Sequence, residues 1–345
     1  MAVQNRLRRD NLNRVIETVW RNQGISRAGL SRTLRMDRST AGQLSDFLIH
    51  EGILQEYAGG STGPKGGRPP TLLRVQANVG YSLGIELTYP TLRFSAIDLT
   101  GISLLERSVD IPADPSTVLP TLIREIGEIR KAIRSAGTRS SELLTVGVGV
   151  SGVVDSVLGA IELSDAFHIH ETTEIAEPLF AAFGVPIALY NDAQACARGE
   201  SSRKDRSDLL FTVIEFRPGY SPEDIGVGLG IVLDGQLRHG RTITHLLRPE
   251  TGENNAAFLQ NLAHSLALIA NVTGVTEIVL GGDAEDVFDD LAPQIRRFAS
   301  REDRRIPDPP LRISKPLFGD RAVSVGAAYA AFERLFQNLT FPMPQ

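Results

Sequence analysis

The chain has 345 residues, 42% of them apolar, a single cysteine and a formal net charge of −5. That composition fits globular proteins with a buried core and excludes collagen-like, low-complexity and disulfide-stapled classes; a lone Cys196 forms neither an intrachain disulfide nor a cysteine-rich zinc cluster. The charge is uneven, because residues 1–74 hold 12 Lys+Arg against 6 Asp+Glu, a net +6 that leaves −11 for the remainder, the asymmetry expected where one part of a protein meets nucleic acid.

The first residues carry arginines but no apolar core of signal-peptide type, and the longest apolar runs, such as Leu143 to Val150, are strand-length, far short of the ~20 residues of a membrane span. A soluble, cytoplasmic protein without a membrane partner is expected. Leu12, Val15, Ile16, Val19 and Trp20 then recur at helical spacing and predict a first helix ending near Gly24. Ser26 is a candidate N-cap for a second helix with Leu30 and Leu34 inward; Asp37 or Ser39 can cap a third, with Ala41, Leu44 and Leu48 on its inner face.

Two short helices joined by a tight turn across Ile25–Gly52 read as a helix-turn-helix. Its reading face holds Arg38, Ser39, Thr40 and Gln43, with Arg27 on the preceding helix. Gln can bond adenine bidentately in the major groove, and Arg reaches guanine or phosphate. Ile53–Tyr57 and Thr71–Val75 are β-compatible runs flanking GGSTGPKGGRPP, which predicts a wing with Lys65 and Arg68 near its tip, suited to a narrow minor groove. The plainer alternatives are a small helical bundle and a flexible linker. The head is placed at 1–75 and a linker at 76–80.

Beyond Tyr81 strands and helices alternate. Strands are predicted at Tyr81–Leu87, Leu92–Leu99, Ser103–Val109, Leu143–Val150, Val185–Tyr190, Leu209–Phe216, Gly226–Leu233 and Thr276–Leu280. Helices are predicted at Thr117–Ala136, Glu174–Phe183, Ala193–Glu200, Ala256–Asn271, Val287–Ser300 and Val323–Gln337. The body is therefore α/β, with two lobes at about 81–190 and 191–345 and a cleft between them.

Five stretches then follow in order behind GGRPPTLLRV at 66–75: GVGVSGVVDSVLGAI at 147–161, YNDAQACARGE at 190–200, GVGLGIVLDGQLRHG at 226–240, EIVLGGD at 277–283 and VGAAYAA at 325–331. With them the chain resembles the ROK family (repressors, open reading frames and sugar kinases), in its transcription-factor branch, over nearly its whole length. The resemblance implies a two-lobed actin-like, ribonuclease-H-like body that binds a sugar or sugar derivative, and in repressors a ligand-dependent DNA affinity.

In family kinases the Asp of an Asn-Asp pair takes the proton of the attacking sugar hydroxyl; here that pair is Asn191-Asp192, which as residues alone could equally cap the helix that follows. Family kinases also open the body with an Asp-x-Gly-Gly-Thr phosphate turn. The matching stretch here is Glu86-Leu87-Thr88-Tyr89-Pro90, with no glycine to admit phosphate closely.

The family commonly has a Glu-x-Gly-His element followed by a zinc loop with three cysteines. This chain reads Thr242-Ile243-Thr244-His245 and then LLRPETGENN, so only His245 matches, Thr242 replaces the sugar-binding Glu, and Glu253 is the stand-in for the later Glu. No zinc site, and no other cofactor, is expected. Asp165 lies where the family has another sugar contact. His168 and His170, at i and i+2, are read as pocket rim or surface, not metal ligands.

The expected function is a DNA-binding regulator, a repressor of carbohydrate genes acting as a homodimer or higher oligomer on a double-stranded operator, with a sugar effector and no enzymatic activity. The alternatives are an ATP-dependent sugar kinase and a ligand-independent DNA-bound scaffold.

Overall fold

The computed structural model describes residues 2–22, 24–59, 71–112, 114–137, 140–202, 206–216, 225–238, 255–299 and 311–339. Helix α1 (Ala2–Arg21) opens the head, and the predicted stripe is its inner face, with Leu12, Val15, Ile16 and Val19 fully buried. Helix α2 (Arg27–Leu34) starts where Ser26 Oγ accepts from Gly29 N at 3.1 Å, and stops where Arg35 turns left-handed at φ 52°. Of the two candidate caps of α3 (Arg38–His50), Asp37 is the one used: its carboxylate accepts from Thr40 N at 2.8 Å. Strands β1 (Leu54–Ala58) and β2 (Thr71–Val75) pair antiparallel from Leu54↔Val75 to Ala58↔Thr71, and Ile25 bridges to Leu73 at the inner edge. This is the winged helix-turn-helix expected; Lys65 and Arg68 lie outside the described residues.

The first lobe contains β3 (Tyr81–Leu87), β4 (Thr91–Asp98), β5 (Ser103–Asp110), α4 (Pro115–Ser135), β6 (Leu143–Val150), β7 (Val153–Asp155), β8 (Ala160–Leu163), β9 (Thr173–Glu174), α5 (Ala176–Phe183) and β10 (Ile187–Asn191). Its main sheet runs β10-β6-β3-β4-β5, parallel between β10, β6 and β3 and antiparallel beyond, with β7-β8-β9 forming a small second sheet. Along β3, Tyr81, Leu83, Ile85 and Leu87 share one core with α4 and α5, while the alternate residues Ser82, Gly84 and Glu86 face the other way.

Helix α6 (Asp192–Glu200) leads to the second lobe: β11 (Leu209–Phe216), β12 (Ile225–Leu233), β13 (Gln236–Arg238), α7 (Asn255–Thr273), β14 (Glu277–Gly282), α8 (Phe288–Ala299) and β15 (Arg312–Ser314), before the last helix, α9 (Ala322–Gln337). The sheet order is β13-β12-β11-β14-β15, and α7 and α8 cover one face. The predicted body elements are present within a few residues. The small sheet and the short β13 and β15 went unpredicted because two- to four-residue strands carry too little periodicity. Glu174, predicted as helical, instead pairs with Ala160 in β9, and α5 begins at Ala176.

Helices α6 and α9 lie between the sheets, and glycine sets how closely they pack. A Cβ on Gly84 would come 1.8 Å from Ser324 O, one on Gly230 2.1 Å from Ala193 O, and one on Gly326 1.8 Å from Ala195 O. The repeated glycine motifs are therefore strand-to-helix and helix-to-helix contact points. Helix α9 returns to the first sheet, packing on β3, β6 and β4, so the first lobe includes chain from both sides of the boundary placed at 190/191. The head is seated as well: Trp20 meets Tyr329, Phe332 and Phe336 of α9 at ring-centroid separations of 6.0, 6.1 and 5.2 Å, and one buried cluster joins the head's core to α9.

Candidate functional site

On the head, Ala41, Leu44 and Leu48 turn inward and leave Arg38, Ser39 and Gln43 exposed, with Thr40 half-buried. Thr40 is occupied by the cap, its hydroxyl donating to Asp37 Oδ2 at 2.5 Å; these bonds from Thr40 hold the Asp37 carboxyl below its ordinary range. Gln43 Nε2 sits 3.5 Å from Ser39 Oγ, a long contact that a base edge can replace. Arg27 differs from the others, since its guanidinium bonds both Asp46 and Glu56. Its charge is already balanced within the head.

In the cleft, β10 ends at Asn191 and α6 begins at Asp192. Asn191 is the helix cap: Oδ1 accepts from Ala193 N at 3.1 Å while Nδ2 donates to Gly152 O at 2.9 Å. Both ends of the amide are thus engaged, and the capping role applies to Asn191. Asp192 is 8% exposed and accepts from Ala193 N at 2.6 Å. Burial, then the charges of Glu215 and Glu86, push its carboxyl up to about 8.

Glu86, at the end of β3, is raised to about 7 by burial, despite its 3.1 Å pair with Arg93. Ser151, just after β6, donates to Glu215 Oε2 at 3.3 Å and also bonds Asp192. A Cβ on Gly228 would stand 3.5 Å from Asp192 Oδ1, so the bare strand β12 leaves room beside that carboxylate. Glu86, Ser151, Asp192 and Glu215 form a polar floor on which protonated carboxyls can donate, and ionised ones accept, hydrogen bonds from a polyol.

Of the other proposed ligand residues, Asp165 is exposed on a 3-10 turn (Asp165–Phe167), while Thr242, His245 and Glu253 lie outside the described residues. His168 and His170 are both exposed, as the surface reading expects, and no group of three metal-ligating side chains converges among the described residues. Cys196 is buried on α6 against Leu209, Phe211 and Val279. Ser151 and Glu215 were not singled out from sequence. Glu215 could have been sought as an acid interrupting an apolar strand, LLFTVIEF.

A family model described as ROK family matches residues 82–254, just over half of the chain. The xylose repressor of Caldicellulosiruptor bescii is 28% identical over 231 residues, which cover 66% of this chain and 54% of that protein; the matched stretch is thus about half of that relative's length. Among solved structures, a ROK family transcriptional regulator, homologue of the E. coli MLC protein, superposes with a TM-score of 0.70 at 18% identity, covering 96% of this chain and 97% of the other. A ROK family glucokinase from Streptomyces griseus, in complex with glucose and AMPPNP, gives a TM-score of 0.54 at 17% identity over 74% of this chain and all of that one. At these identities the two structures establish the fold: head and body together in the first, the two-lobed body in the second.

Proposed function

The chain belongs to the ROK family, and from that premise we propose that it is a sequence-specific transcriptional regulator. In this reading its cleft binds a sugar or sugar derivative, and binding changes the hold of the head on a double-stranded operator. The observation that carries the proposal is the exposed Arg38–Ser39–Gln43 face of α3 on a basic head seated against a sugar-kinase-type body. Repression of carbohydrate genes in the cytoplasm is the role proposed. D-xylose is the first effector to test, given the similarity to a xylose repressor. A homodimer is proposed because paired half-sites match a two-fold protein.

The test is DNA selection from a random pool, followed by binding at increasing salt with and without a sugar panel. We expect a selected sequence, steep salt dependence, and a change in affinity with at least one sugar. Failure to select any sequence refutes the regulator. A selected sequence that no sugar affects, together with no sugar-dependent rise in melting temperature, favours the scaffold alternative.

Kinase activity is the second reading, favoured by retention of Asp192. Against it, Glu86, Asp192 and Glu215 gather carboxylates in the cleft, and Glu86-Leu87-Thr88-Tyr89-Pro90 has no glycine where phosphate binding calls for close backbone donors. We infer that the cleft senses and does not phosphorylate. Sugar-dependent ADP release that disappears in Asp192→Asn refutes this. We also infer that no zinc is needed, so chelation leaves DNA and sugar affinities unchanged.

A further inference from the structure

Where the head meets the body, Arg21, the last residue of α1, holds three acceptors at once. It bonds Glu17 one turn back at 3.0 Å, Glu333 of α9, and the carbonyl of Gly235 in the β12–β13 turn. These partners belong to different parts of the fold. Glu333 moves with α9, which is packed on the first sheet. Gly235 moves with the second sheet: its N–H donates to Ser207 O, and Asp234 N donates to Asp208 Oδ1, each at 2.8 Å. Any change in the angle between the lobes must therefore alter the distance between two groups that one guanidinium bridges.

The cleft reaches the same point by a second route. Glu333 is also ion-paired with Arg198, Nε standing 2.5 Å from Oε2, and Arg198 lies over the Trp20 ring at 5.4 Å. Arg198 is in the last turn of α6, whose first residue is Asp192. Helix α6 cannot slide freely over α9, since Gly326 already meets Ala195 O closely enough to exclude any Cβ. A cavity of about 310 Å³ adjoins the bridge, lined by Trp20, Asn22, Thr100, Ser202, Asp234 and Tyr329. The β12–β13 turn lines one side of it through Asp234 and Gly235.

We propose that Arg21 couples lobe closure to the head: by bridging Glu333 and the Gly235 carbonyl, it sets the orientation of α1, and hence of α3, according to the angle between the lobes. The inference rests on the regulator reading and adds to it the residue that transmits the signal. Arginine suits the task because its planar fork serves several divergent acceptors, whereas a lysine ammonium is a single compact point. Removal of Arg21 also leaves Glu333 paired with Arg198, so no buried carboxylate is stranded.

The experiment measures, for wild type and Arg21→Met, the affinity for the selected DNA with and without each sugar of a panel containing D-xylose and D-glucose, sugar affinity by calorimetry, and melting temperature. Wild type is expected to show a sugar-dependent change in DNA affinity of at least about fivefold, within the usual range for coupled sites. R21M is expected to keep its sugar affinity and its sugar-free DNA affinity within about threefold while responding less than about twofold. If R21M responds as wild type does, or loses sugar binding itself, the coupling role is overturned while the regulator reading stands. If no sugar shifts the wild type, the reading falls and the inference falls with it. Should R21M melt below the assay temperature, Arg21→Lys, which keeps the charge but not the fork, is put to the same comparison with the same deciding outcomes.

Discussion

Asp192→Asn is expected to stabilise the protein at alkaline pH while abolishing effector binding. Asp192 is 8% exposed, and burial, with Glu215 and Glu86 nearby, raises its carboxyl from 3.8 to about 8. The folded state thus keeps a proton that the unfolded chain releases. Between those values the folded protein binds more protons than the unfolded one, so stability falls as pH rises through that window. Most of that displacement already acts at pH 7, which lies far above 3.8, and a gain of about 1–2 kcal/mol on substitution is the working expectation.

Asn is isosteric, keeps the acceptor for Ala193 N, and can donate to a neighbouring carboxylate. In thermal unfolding the D192N protein should melt a few degrees above wild type at about pH 8, with the difference vanishing near pH 3, below 3.8, where the wild-type carboxyl is protonated in both states. Sugar-dependent stabilisation should be lost in the same samples. A variant less stable than wild type at pH 8, or a gain of equal size at both pH values, refutes the assignment of Asp192 as a destabilised buried acid.

Three further outcomes follow from named contacts. Gly326→Ala places a methyl carbon 1.8 Å from Ala195 O, so α6 and α9 must separate; urea unfolding should show a loss of at least about 3 kcal/mol or no folded protein. Trp20→Ala removes the ring seated among Tyr329, Phe332 and Phe336 and should cost about 3–5 kcal/mol, read as a lower melting temperature and faster proteolysis at the head–body junction. Gln43→Ala should reduce discrimination between the selected site and single-base variants by about 1–3 kcal/mol at one position while leaving the salt slope unchanged; an unchanged binding profile removes Gln43 from the reading face.

The head and the alternating body were legible because their signals are local. The 3.6-residue stripe of α1, the caps at Ser26 and Asp37, and the apolar strands β3 and β6 each appear within a window of a few residues. The cleft was legible only in part. Asn191-Asp192 stood out as a polar pair behind an apolar strand, but whether Asn191 caps or binds depended on Gly152, 39 residues away. Glu215 lies inside a correctly predicted strand, yet its proximity to Asp192 is set by how β11 and β12 lie over α6, which strand periodicity does not encode.

The head–body bond between Arg21 and Glu333 spans 312 positions, and its third partner, Gly235, contributes only a backbone carbonyl, which has no sequence signature. This limit follows from the division of work proposed for the molecule. Base reading and sugar recognition need particular side chains at fixed local spacing, and these leave patterns in the sequence. Coupling needs only that two moving bodies share one donor, and arginine at the end of a helix is too common to mark that role. The glycines lie between these cases. Their motifs were visible as a family pattern, but their physical reason is the absence of a Cβ at Gly84, Gly230 and Gly326, which lets α6 and α9 pack closely on the sheets and on each other.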